Sequence, residues 1–228
     1  MAQLPAIAIG GPPHSGKSVL TYSLTQILRA QQVEHYVLRA CPDGEGDWSQ
    51  QTPPESVRLL RNKGQFTETF VAYVDRRLAE RHLPLLVDLG GRPTPEQEIL
   101  FDHCTRAILL APNQAGLDEW RGLAQRHKLT LLAELQSSLT EPEIIASEYP
   151  ILQGRIVGLE RQQVPQSALI ERLAWTIRTL FAQPQAALRQ LHLQAAPVEI
   201  SVDLDRLART LGSATPGQWQ PGDLPAGR

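Results

Sequence analysis

AIAIGGPPHSGKSVL, residues 6–20, is the stretch on which the fold turns. Its opening, Ala6 to Ile9, is a short apolar run that ends in glycines, the pattern of a buried strand. Residues 11–18 then read Gly-Pro-Pro-His-Ser-Gly-Lys-Ser, which satisfies G-x-x-x-x-G-K-[ST] in full. From Lys17 to Ala30 the apolar positions Val19, Leu20, Leu24, Ile27 and Leu28 recur at helical spacing. A strand, a glycine-bearing loop and a helix in that order make a cradle for phosphate.

The chemistry follows from the residue types. Gly11 and Gly16 let the chain turn sharply and approach a phosphate closely, and backbone N–H groups from Ser15 to Ser18 supply donors. Lys17 brings a positive charge to the β and γ phosphates of a nucleoside triphosphate, and Ser18 offers a hydroxyl to magnesium. The helix N-terminus adds its dipole. Val19 completes the expected nucleotide-binding set of Gly11, His14, Ser15, Gly16, Lys17, Ser18 and Val19. Pro12 and Pro13 remove two N–H donors from the loop. His14 has two readings, contact with a γ-phosphate or second substrate, and plain exposure to solvent.

Magnesium needs a carboxylate as well. Leu85-Leu86-Val87-Asp88 is an apolar strand ending in aspartate, where that carboxylate is expected; the alternative for Asp88 is a turn or helix cap. Leu89 stands where many ATPase motors carry a water-activating glutamate. Asp88-Leu89-Gly90-Gly91 instead spells D-x-x-G, as in GTPases and some ATP-dependent transferases. After the second strand, Asp43, Glu45 and Asp47 alternate with Gly44 and Gly46. Asp43 and Glu45 are candidate catalytic bases for an acceptor hydroxyl, alongside Lys17 and Asp88, and the other reading is a solvated turn. Trp48 is open to stacking on a ring or to covering the sheet edge, and Arg92 to balancing phosphate charge. Asn113 lies near the place of the guanine-reading N-K-x-D motif, but Gln114 replaces the lysine. ATP is therefore the expected nucleotide.

Along the rest of the chain, short apolar runs alternate with helical patterns, which implies a parallel sheet with helices on both faces. Strands are expected at 6–9, 36–40, 85–89, 107–111, 129–133 and 156–159. Helices are expected at 17–30, 55–62, 68–81, 117–127 and 167–181, with a loop over 43–54. These make a three-layer α/β/α P-loop domain of the kinase–GTPase type over residues 1–183. A Pro-rich appendage follows over 184–228, with an apolar run at 198–202, a short helix at 204–211 and a disordered end.

Composition narrows the class. Of 228 residues, 42% are hydrophobic and 20% charged, with a net charge of −2. No run of Lys or Arg forms the footprint of a general nucleic-acid binder. Cys41 and Cys104 lack the spacing of a metal site and read as reduced, half-buried thiols. The N-terminus lacks a basic region and a long apolar core, and no stretch approaches the roughly 20 apolar residues of a membrane helix. A cytoplasmic protein is expected, and its oligomeric state, homo-oligomer included, is left open.

GGPPHSGKSVL and RACPDGEGDW, with VDLGG and CTRAILLAP, resemble the P-loop ATPase-like domain found fused or adjacent to CRISPR-associated ring nucleases of type III systems. The resemblance covers roughly residues 5 to 160. It implies an accessory role in antiviral signalling, beside a ring nuclease that degrades a cyclic oligoadenylate messenger. A nuclease domain needs roughly a hundred residues. The 45 residues after 183 are expected to hold no complete one. The motifs alone leave three functions open: a regulatory ATPase, a kinase acting on a nucleoside, nucleotide or other small hydroxyl compound, and a nucleotide-binding scaffold without turnover.

Overall fold

The computed structural model describes residues 4–42, 48–52, 54–60, 64, 67–91, 93–161 and 166–194, without the side chains of 48, 54, 96 and 183–194. In chain order the elements are β1 (Ala6–Gly10), α1 (Lys17–Ala30), β2 (Tyr36–Arg39), α2 (Trp48–Gln51), α3 (Pro54–Leu60) and α4 (Glu68–Ala79). They continue with β3 (Leu85–Asp88), α5 (Pro95–Glu98), a 3-10 turn (Ile99–His103), β4 (Arg106–Ala111) and α6 (Gln114–Arg126). Last come β5 (Thr130–Ser138), β6 (Ile144–Ser147), β7 (Leu152–Val157) and α7 (Ala168–Gln194).

The protein is an α/β fold around a seven-stranded sheet of order β2-β3-β1-β4-β5-β7-β6. All pairings are parallel except β6 against β7. Alternation along β1 explains how it serves two cores. Ala6 and Ala8 join Val71, Val74 and Leu78 of α4 and Leu117, Trp120 and Leu123 of α6. Ile7 and Ile9 join Leu20, Leu24 and Leu28 of α1 and Leu169, Leu173 and Ile177 of α7. Ile7 and Ile9 are fully buried, a contribution of roughly 1.5–3 kcal/mol for each such side chain. Gly10 closes the strand because a Cβ there would lie 2.5 Å from the Trp120 ring.

The same two faces locate a crevice. The chain leaves β1 toward the α1 face, whereas it leaves the flanking strands β3 and β4 toward the α4 and α6 face. Loops that diverge in this way open a cleft at the carboxyl end of the central strand, the usual ligand position in doubly wound sheets.

Several elements differ from expectation. β5 runs on to Ser138 instead of ending at Ala133, and β7 starts at Leu152 instead of Ile156. Their extra residues are mostly polar around the buried Leu135 and Leu152, and Glu134 is buried there because Arg121 (2.6 and 3.1 Å) and Gln153 (2.9 Å) hydrogen-bond it. β6 is an unexpected antiparallel edge strand with three exposed residues, so it carries no apolar run to read. The 43–54 loop is interrupted by α2, which Gln51 Nε2 ties to Tyr22 Oη of α1 at 2.8 Å. α7 continues to Gln194, past the composition change at 184. Its start is capped by Glu143, whose Oε1 accepts from the Ala168 N–H at 2.8 Å. The chain divides into compact units Met1–Leu188 and Arg189–Arg228. The elements expected at 198–202 and 204–211 and the disordered end lie outside the described residues. Among the described residues, no helix is long and apolar enough to cross a membrane.

Candidate functional site

The loop of residues 11–16 connects the end of β1 to α1 at the mouth of the crevice. Gly11 is buried against the Leu110 carbonyl, and His14 holds a left-handed φ of 62°. Gly16 has a φ of 93°, where a side chain would be strained, and its α-hydrogens face Leu159. The N–H groups of the first turn of α1 have no carbonyl in their own helix to bond. Ser15 is turned inward: its N–H donates to the Pro12 carbonyl at 3.4 Å, and its buried hydroxyl has no hydrogen-bond partner.

Lys17 is 8% exposed, and its Nζ donates to the Pro12 carbonyl at 2.7 Å. Burial lowers its pKa, and the charges of Asp88 and Cys41 pull it partly back. A cation held in a cavity at a desolvation cost is poised to gain from an incoming anion.

Register explains the opposite charge. β2 and β3 pair with Arg39 beside Asp88, and β3 pairs with β1 so that Asp88 lies beside Ile9. Paired residues in neighbouring strands point to the same side. Arg39 Nη1 therefore meets Asp88 Oδ2 at 3.0 Å, with the two side chains 15% and 7% exposed. Gly91 brings the D-x-x-G turn against the loop, since a Cβ there would lie 2.6 Å from the Pro13 nitrogen.

These groups share one cavity of about 420 Å³, lined by His14, Gly16, Lys17, Ser18, Val19, Arg39, Cys41, Gln50, Asp88 and Leu89 among others. A second cavity of about 410 Å³ lies across the loop, between His14–Gly16 and Pro112, Ser137, Ser138 and Leu139. The sequence-selected residues from His14 to Val19 and Asp88 thus converge. Asp43, Glu45, Asp47 and Arg92, and the Trp48 side chain, lie outside the described residues. Asn113 caps α6, its Oδ1 accepting from the Gly116 N–H at 2.9 Å. Cys104 is fully buried instead of half-buried, and burial pushes its thiol up to about 12.

Arg39 and Gln50 are site residues that motif reading missed. Arg39 was legible only through its register with a strand-end aspartate. Gln50 sat in a stretch read as loop. Among the described residues no cluster of three or more His, Cys, Asp or Glu forms a metal cage. A site in which a few protein oxygens share the ion with phosphates needs none.

No protein-family model matches the chain, and no curated protein matches it.

Proposed function

We propose that this chain is a P-loop NTPase of the kinase–GTPase type that binds ATP with magnesium. The observation that carries the reading is the buried Lys17 at the end of a glycine loop, in one cavity with Asp88 of the adjacent strand. The fit extends to the loop itself. Its close-packed glycines leave no room for side chains, and the orphaned Ser15 hydroxyl is a donor without a partner.

In this reading Lys17 exchanges the Pro12 carbonyl for the β and γ phosphates. The N–H groups that open α1 bind phosphate oxygens. Ser18 and Asp88 hold the magnesium, hard oxygen donors suited to a hard ion. Magnesium, when bound, offsets the phosphate charge during transfer. Arg39 orients the Asp88 carboxylate through Oδ2. The cavity across the loop has room for the base, and the capping role of Asn113 fits a site without guanine selection.

The resemblance adds a regulatory ATPase role in type III CRISPR antiviral signalling, with a ring nuclease as partner. A co-purification assay with such a nuclease tests that part separately. Phosphoryl transfer to a small acceptor is a second reading, favoured by the buried Leu89, which lines the cavity directly after Asp88 where a hydrolytic carboxylate would stand.

The decisive test is Lys17→Ala with labelled ATP. The expected outcome is loss of γ-phosphate release or transfer and weaker ATP binding, with an unchanged circular dichroism spectrum. Undiminished binding and turnover in the folded variant would overturn the reading.

A further inference from the structure

Among the polar side chains that line the cavity, Gln50 is a neutral one that the phosphate site does not use, and Arg161 is a second, charged one. Gln50 is 3% exposed, and neither its Nε2 nor its Oε1 has a hydrogen-bond partner. Leaving both ends of a buried amide unsatisfied is costly, and an apolar residue of the same shape would avoid the cost. Sites that break a local rule in this way are where function is expected. Its position is not accidental slack: α2 is tethered to α1 by the next residue, Gln51, through Tyr22.

The cavity that Gln50 lines says which molecule it would meet. Gln50 lies in the cavity that holds Asp88, Arg39 and Cys41, at the ends of β3 and β2. The other cavity, across the loop toward the ends of β4 and β5, has no part in it. A nucleotide with its phosphates over the loop and its base in that other cavity leaves Gln50 to a second molecule. The amide is neutral and presents one donor face beside one acceptor. Its complement is an edge with an acceptor beside a donor, which every nucleobase carries in a fixed plane and a simple polyol offers only through two freely rotating hydroxyls.

We propose that Gln50 is the specificity-determining residue of an acceptor subsite that takes a nucleoside, reading its base edge through both ends of the amide. The inference rests on the nucleotide-binding reading above. The reaction it implies is ATP + ROH → ADP + RO–phosphate + H⁺. A nucleoside hydroxyl oxygen bonds to the γ-phosphorus, the bond from that phosphorus to the β–γ bridging oxygen breaks, and ADP leaves with that oxygen. The hydroxyl proton is released to water.

The test uses the full chain, γ-labelled ATP, the four ribonucleosides and their deoxy forms, with glycerol as a polyol control. At least one nucleoside is expected to take up label, and glycerol none. Gln50→Met is expected to lower kcat/KM for that nucleoside by roughly 10- to 100-fold, the worth of a bidentate base contact. The KM for ATP should move less than twofold, and the melting temperature should rise because the orphaned amide is gone. Gln50→Asn, which keeps the chemistry on a shorter arm, covers the case in which Gln50→Met does not fold. ATP binding without label transfer to any nucleoside would overturn the acceptor inference and leave the nucleotide reading standing. So would a nucleoside kcat/KM untouched by both variants. Failure of ATP to bind at all would sink both.

Discussion

Replacing Arg39 and Asp88 singly and together measures how the cavity holds its only described acid–base pair of adjacent strands. At 3.0 Å and an effective dielectric of about 20, the two charges attract by roughly 5 kcal/mol. Both side chains are largely buried, so desolvation offsets much of this and leaves about 2 kcal/mol, within the range for hydrogen bonds to charged groups. For a chain of this size that corresponds to a loss of roughly 4–8 °C in melting temperature. Arg39→Met and Asp88→Asn should each show it, and the double variant should lose far less than the sum. Repeating the thermal scans with ATP and magnesium separates structure from function. Asp88→Asn should lose most of the magnesium-dependent protection, because a neutral amide cannot offset the ion's charge. Arg39→Met should keep that protection, since the carboxylate remains and its competing cation is gone. Additive effects, within about 0.5 kcal/mol, would refute the coupling. Equal magnesium protection in Asp88→Asn and the parent would refute the metal role.

Other expectations follow from packing and titration. Gly91→Ala should weaken ATP binding while leaving the core intact, because the new methyl would press on the Pro13 backbone at 2.6 Å; isothermal titration against a Gly122→Ala control, a position with open space, checks it. Cys104 keeps its proton in the folded state up to about pH 12, whereas an unfolded thiol loses it near 8.5. The unfolded chain binds fewer protons in that window, so stability should fall by about 1.4 kcal/mol per pH unit as pH rises through it. Cys104→Ala should flatten that part of a urea-denaturation pH series, and an unchanged slope would reject the assignment. With thiol reagents at neutral pH, Cys41 should react, Cys104 should not, and ATP should slow the reaction at Cys41, which lines the cavity.

The parts of the fold that were legible in the sequence are those buried on both faces. β1, β3 and β4 are continuous apolar runs because helices cover both sides of the sheet centre, and α1 is legible because one stripe of it faces that sheet. Legibility fails toward the β6 edge, where burial is one-sided. The second half of β5 carries Glu134, Gln136, Ser137 and Ser138, and only their cross-strand and helix partners make them a strand. Short elements also escaped: α2 and the Pro95–His103 segment are too brief for a period to emerge. Within the candidate site, the linear motif singles out Gly11, Gly16, Lys17, Ser18 and Asp88, since each type would answer a demand of phosphate or magnesium in the proposed reading. Arg39 depends on strand register, and Gln50 on which hydrogen bonds go unmade, neither of which a linear pattern carries.

The contact of Trp120 with Gly10 has an optical consequence. The indole lies against the backbone of the last strand residue before the glycine-bearing loop of residues 11–16, 3% exposed and tilted against Phe101 at 6.2 Å. Trp175, by comparison, is 66% exposed on the outer side of α7. An ionic quencher in solution can silence Trp175 and leave Trp120 bright. What remains of the emission then comes in part from a ring touching the root of the loop, so the chain carries its own fluorophore for events at that loop. A displacement there of a few tenths of an ångström must push against a rigid aromatic plane and not against a yielding aliphatic chain.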